Sequence, residues 1–200
     1  MFRSIVAAAV LAALPLAANA QSPNYGYLEG GIARADQYGD SLDGFAIKAS
    51  LPFGDSWYGF LDYSEAELDA GRSIDLVTLS PITLGAGYRL PVGDRTDLVF
   101  EAAYLGVGSE LLGEDYINDG LRGAFGVRSR LASHFEVELK ATVSGVEEFD
   151  TVVGAYAGAL VSFNENWGLG LGYHYNAYDF AVLGGDGEVD IATIGVRYSY

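Results

Sequence analysis

The sequence predicts an all-β chain, an antiparallel up-and-down transmembrane β-barrel of ten strands, with eight as the alternative count. Three observations predict it. Apolar and polar residues alternate with a period of two along almost the whole chain. The alternating segments are joined by connections that are by turns short and long. Finally, a net charge of −16 coexists with a mean hydropathy of +0.18, so acidic and apolar residues must be sorted into different places.

The amino-terminal stretch stands apart from that pattern. Arg3, an apolar run from Ile5 to Leu16, and the small residues Ala18 and Ala20 around Asn19 form the pattern of a secretory signal peptide over residues 1–20, cleaved before Gln21. The run is interrupted by Pro15 and is too short for a membrane-crossing helix, which needs about 20 apolar residues. Residues 21–200 then make one barrel domain, because no proline-rich or low-complexity linker divides them. The chain has no cysteine, which excludes disulfides, thiolate metal sites and cysteine nucleophiles. With 27 acidic residues against 11 Lys and Arg, nucleic acid is not an expected partner, since phosphates are neutralised by clustered cations.

The clearest strand is Phe135 to Ser144. Phe135, Val137, Leu139, Ala141 and Val143 share one face, and Glu136, Glu138, Lys140 and Thr142 share the other. The same reading places strands at Tyr25 to Ala35, Gly44 to Leu51, Trp57 to Ser64, Leu76 to Leu90, Asp97 to Val107 and Leu121 to Leu131. Three more follow at Thr151 to Phe163, Trp167 to Asn176 and Val189 to Tyr200. Pro52 to Ser56, Pro91 to Thr96, Ala132 to His134 and Asn164 to Asn166 are the short, periplasmic connections, and longer outer loops are expected between them. Ten residues at ~3.3 Å each, tilted by ~40°, rise roughly 25 Å, the height of a membrane barrel's apolar band. Pro81 lies inside the fourth segment, where its missing N–H calls for a bulge or a lapse in pairing.

A soluble barrel would alternate too, but with its apolar set inside. Aromatic residues argue for lipid outside. Trp57, Phe135, Phe163, Trp167, Tyr198 and Tyr200 end apolar rows near the short turns, and Tyr63, Tyr104, Tyr173 and Tyr175 end them near the long loops, as two interfacial girdles would. The opposite face carries Glu29, Lys48, Asp62, Arg89, Glu101, Arg122, Arg128, Arg130, Glu136, Glu138, Lys140, His174 and Arg197, a mixture of both signs able to neutralise itself in a confined lumen. Gly85, Gly87, Gly168, Gly170 and Gly172 lie on that face as well, leaving space for long arginines to cross.

Four stretches, Leu11 to Ala20 (LAALPLAANA), Tyr25 to Gly31 (YGYLEGG), Asp43 to Ser50 (DGFAIKAS) and Phe163 to Leu169 (FNENWGL), carry a resemblance to the small outer-membrane β-barrel domain family, in particular to a group first described as secreted activators of plant immunity. They span both ends of the chain, while the loops between them match poorly. Ile194, Val196, Tyr198 and terminal Tyr200 resemble the carboxy-terminal signal read by the outer-membrane insertion machinery, although Phe or Trp is commoner in last place. The resemblance implies residence in the outer membrane of a Gram-negative cell.

Chemistry-bearing residues are few. His134 falls in a short turn. His174 faces inward with Asn176 on its face and Asp179 just beyond, but neither an omptin-like Asp–His set nor a nearby serine is apparent, so no catalytic residue and no cofactor are expected. The inward charges read as a salt-bridged plug, with a selective channel as the other reading. Eighteen of the 27 acids fall in the expected outer connections, where Arg72 is the one clear cation. Among them Asp186, Glu188 and Asp190 (in DGEVD) are candidates for holding Ca²⁺ or Mg²⁺ against lipopolysaccharide phosphates, without EF-hand spacing. The expected function is therefore structural and interfacial: a largely plugged barrel, monomeric, in contact with outer-membrane lipid and lipopolysaccharide. A narrow porin-like channel and a barrel-mouth hydrolase are the alternatives.

Overall fold

The structure, a computed structural model, describes residues 22–37, 40–67, 78–111, 114–146, 149–180 and 185–200. Signal-peptide residues Ala18, Ala20 and Gln21 lie outside them, as do Arg72, Asp69, Asp75, Glu147 and Glu148. Ten strands run in order: β1 Tyr27–Gln37, β2 Asp40–Phe53, β3 Trp57–Glu67, β4 Thr78–Pro91 and β5 Thr96–Leu111, then β6 Glu114–Ala132, β7 Phe135–Val146, β8 Phe149–Ser162, β9 Trp167–Phe180 and β10 Gly185–Ser199. Each pairs antiparallel with its neighbours in sequence, and β1 pairs with β10, so the sheet closes into a barrel. Closure removes the unpaired edge that a ten-strand sheet would otherwise present, which a membrane core does not tolerate.

The period-two pattern translates directly into two surfaces. On β1, Leu28 and Ile32 point out while Tyr27 and Glu29 point in. The outer surface exposes Leu51, Leu84, Phe100, Leu121, Phe125, Val153 and Leu171, among others. Buried positions instead include Glu29, Lys48, Asp97, Arg128, Glu136 and Arg197. An apolar exterior around a charged interior is the reverse of a soluble domain and is stable only when lipid meets the outside. Trp57 packs edge-on against Tyr88 at 5.0 Å, and Trp167 packs in a tilted arrangement against Tyr198 at 5.0 Å, beside the short turns. No helix among the described residues is long and apolar enough to cross a membrane.

Local chemistry sets the turns. Gly54 adopts φ = 66° between β2 and β3, a left-handed conformation that glycine takes without steric cost. Asn164 Oδ1 accepts hydrogen bonds from the amides of Asn166 and Trp167, both at 2.9 Å, and so tightens the β8–β9 turn. Opposite Pro81 the β3–β4 ladder passes from Tyr63↔Ile82 to Ala66↔Leu79, a lapse of two pairs with no change of register, while Pro81 still faces Val107 on β5.

The outer connections depart from expectation. Only two residues separate β1 from β2, β5 from β6 and β7 from β8, and four separate β9 from β10; β3 and β4 alone are ten apart. Strands extend into the stretches expected to be loops: β6 begins at Glu114 instead of Leu121, and β10 at Gly185 instead of Val189. Asp36, Asp43, Glu65, Glu67 and Asp119 therefore sit on strand ends. Polarity does not end a strand that projects into water, because its backbone stays satisfied by the ladder while its side chains are solvated. Arg34, not singled out from the sequence, joins these acids, with Asp36 at 3.9 Å and Asp43 at 3.8 Å.

Candidate functional site: the lumen

All thirteen residues assigned to the lumen from the sequence lie on the inward face, and the structure sorts them into layers. At the end nearest the short turns, Arg128 of β6 donates from Nε to Glu136 Oε1 at 2.6 Å and from Nη2 to the Asn24 carbonyl at 2.9 Å. Arg130 adds a bond to Glu136 Oε2 at 3.5 Å. Arg89 donates to the Asp55 carbonyl at 3.0 and 2.8 Å and stands 3.7 Å from Asp97 Oδ2. Next to this layer, Arg197 Nε donates to Glu29 Oε2 at 2.7 Å across the β1–β10 seam.

The middle layer joins strands farther apart. Lys140 of β7 lies 3.1 Å from Glu101 of β5 and 3.2 Å from Glu138 on its own strand. The Tyr58 hydroxyl of β3 donates to the same Glu101 at 2.8 Å. Beyond it, toward the outer end, are Lys48, Asp62, Arg122 and His174. His174 Nε2 is 3.9 Å from Asp62 Oδ2, too far for a direct hydrogen bond, and its ring packs on Tyr156 with centroids 4.5 Å apart. The sequence reading found no Asp–His set; tertiary structure brings this one together from β3 and β9.

Tyrosines are what the sequence reading missed. Tyr25, just before β1, lies under two guanidinium groups, Arg128 at 4.6 Å and Arg89 at 5.3 Å from its ring centre, and against Tyr58 at 4.7 Å. Burial pushes its hydroxyl pKa up, and Arg128 offsets part of that shift. The Tyr27 ring carries Arg197 at 3.9 Å, and Tyr156 carries Lys140 at 4.9 Å and Lys48 at 5.1 Å. Ring faces thus supply negative potential where carboxylates run out. Strand parity could have found Tyr27 and Tyr58, since each lies an even number of residues from an inward charge on its own strand, whereas Tyr156 is set inward by its pairing opposite Lys140. Asp97, 1 % exposed, was missed in the same way, two residues from Val99 and four from Glu101.

One expectation is corrected here. The inward glycines make room less for crossing arginines than for other groups. A methyl at Gly87 would collide with the Tyr58 ring, and one at Gly170 with the Glu29 carboxylate. At Gly172 it would meet Thr193, Lys48 and Tyr156. The cation candidates lie on β10. Asp186, Glu188 and Asp190 alternate along one strand, Glu188 accepts a bond from the Tyr175 hydroxyl at 3.3 Å, and no group of three His, Asp or Glu suited to a metal occurs among the described residues. Ile194, Val196, Tyr198 and Tyr200 all face outward, and the Tyr200 hydroxyl donates to the Ser50 carbonyl at 3.0 Å.

A closed ten-strand barrel with an apolar exterior and a charged interior is the architecture of an outer-membrane protein, and residues 4–200 match the outer membrane protein β-barrel domain family. The chain belongs to this family. No curated protein matches the sequence. Among solved structures, this outer-membrane barrel is similar to the NanC porin, with a TM-score of 0.51, 11 % identity, and coverage of 86 % of this chain and 100 % of that one. It is also similar to Neisserial surface protein A, with 0.48, 18 %, 87 % and 96 %. For the translocator domain of the autotransporter NalP from Neisseria meningitidis the values are 0.49, 17 %, 100 % and 95 %. At these identities the likeness is one of fold.

Proposed function

We propose that this outer-membrane barrel is a structural and surface-presenting component of the envelope, with a lumen closed to solutes. The observation that supports the reading is that, among the described residues, layered ion pairs and tyrosines occupy the interior, and the cavity there beside Asp62, Glu101 and His174 measures ≈ 40 Å³. That volume holds a few water molecules and is not a path for a solute. The lumen takes seven of the chain's 11 cations (Lys48, Arg89, Arg122, Arg128, Arg130, Lys140, Arg197) and so leaves the outer strand ends acidic. That is the surface the barrel offers to the outside, with lipopolysaccharide and outer-membrane lipid around it. Export through a signal peptide cleaved after Ala20, insertion through the Tyr200 signal and a monomeric state belong to the same reading.

His174 is given no catalytic part, since its neighbours are Asp62 and the Tyr156 ring. The deciding experiment is conductance of the protein, purified from outer membranes, in a planar bilayer. A silent bilayer, with heat-modifiable gel migration showing that the barrel is folded, is the expected result. Steady, ion-selective steps would overturn it in favour of the porin-like channel.

A further inference from the structure

Charge among the described lumen residues does not close. Arg89, Arg128, Arg130, Lys140 and Arg197 stand against Asp97, Glu136, Glu101, Glu138 and Glu29, five cations with five acids, each within 4 Å of an opposite charge. Toward the outer end three charged residues remain, Lys48, Arg122 and Asp62, and they leave one positive charge over; Arg95, 8 % exposed, belongs to the β4–β5 turn at the other end. Asp62 is turned to His174. Lys48 and Arg122 have no ion-pair or hydrogen-bond partner among the described residues, although Lys48 is only 6 % exposed.

A buried ammonium with no direct ion pair is costly even with Glu29 and Asp62 as its ladder neighbours, and the Tyr156 ring at 5.1 Å offsets only part of that cost. The seat is nevertheless built for it. A methyl at Gly172 would stand 3.2 Å from Lys48 Nζ and 2.6 Å from Thr193 Oγ1, so glycine there gives the ammonium its place. Thr193 Oγ1 is itself buried without a hydrogen-bond partner. Lys48 and Arg122 both line the ≈ 40 Å³ cavity, together with Thr83. Asp62 lines it too, and its side chain is 30 % exposed, so solvent reaches the chamber.

We infer that this chamber binds one small monovalent anion, of carboxylate or halide size, between the Lys48 ammonium and the Arg122 guanidinium. One such charge balances Lys48, Arg122 and Asp62. Water filling the same space would satisfy hydrogen bonds but leave the excess charge, and a divalent or bulky anion exceeds both the charge and the volume. The site neither requires nor creates a conduction path, so it stands apart from the closed-lumen reading.

The test uses protein purified from outer membranes in detergent, titrated with sodium formate, sodium chloride or sodium gluconate at matched ionic strength, with the thermal midpoint as readout. Formate or chloride should raise the midpoint by about 3–5 °C at ten times its dissociation constant, and comparison of the two identifies which anion the site prefers. Gluconate, too large for the cavity, should not. Lys48→Met should abolish the response. Arg122→Gln should weaken it at least tenfold in anion concentration, and serves alone if Lys48→Met does not fold. An equal rise with gluconate, a response unchanged in these variants, or no response to either small anion in the wild-type protein would overturn the site.

Discussion

Arg197 Nε lies 2.7 Å from Glu29 Oε2, and this pair joins the last strand to the first inside the barrel. Both side chains are buried, so removing either leaves an uncompensated charge at the point where the sheet closes. Glu29→Ala or Arg197→Ala should each lower unfolding stability by about 3–5 kcal/mol, whereas the double replacement should cost less than the sum. Urea unfolding of the detergent-solubilised protein measures all three.

Glycine positions inside and outside should respond differently. Gly87→Ala drives a methyl into the Tyr58 ring and should cost about 1–3 kcal/mol, with loss of the Tyr58–Glu101 hydrogen bond. Gly30→Ala faces outward with nothing within 4 Å and should stay within about 0.5 kcal/mol of wild type. Comparing the two unfolding midpoints tests whether lumen packing, and not strand propensity, sets the cost.

The assignment of the apolar surface to lipid has its own test. Leu171 is exposed between Trp167 and Tyr175 on β9 and pairs with Ile194 and Ala159. Leu171→Arg should destabilise the barrel by about 2–4 kcal/mol in bilayers, as expected for a cation near the midplane. Reversible folding into lipid vesicles measures it; a neutral effect would mean that this face does not meet hydrocarbon.

Alkaline pH should unseat the amino-terminal tyrosine. Burial raises the Tyr25 hydroxyl pKa above its ordinary value of 10.0, so from about pH 10 upward the unfolded chain loses a proton that the folded one keeps. Its contribution to stability is complete below that point and falls as pH rises. Tyr25→Phe should therefore flatten the decline of stability between pH 10 and about 12 without steepening it at neutral pH. Parallel unfolding series of the two proteins give the slopes.

Strand number and the facing of each strand were legible because a strand has only two sides, and one charged residue settles the parity of its neighbours. Phe135 to Val146 shows this most plainly: Glu136, Glu138 and Lys140 all turn inward as alternation requires. Strand ends at the outer side were not legible. Glu114 to Gly120 carries the composition of a loop yet continues β6, since the ladder needs a partner's backbone and not an apolar side chain.

By itself, then, the sequence predicted a membrane barrel of ten strands, with eight as the alternative, and with apolar and charged residues sorted apart, because period and hydropathy act locally and survive without knowledge of the partners. Only tertiary structure decided which charges meet. Glu101 binds Lys140 from 39 residues away and Tyr58 from 43, and Asp62 reaches His174 across the lumen. The same closure that pairs those groups also isolates Lys48 and Arg122, since side chains projecting into a narrow cylinder find their partners by height and angle around the axis, and neither coordinate is written in residue spacing.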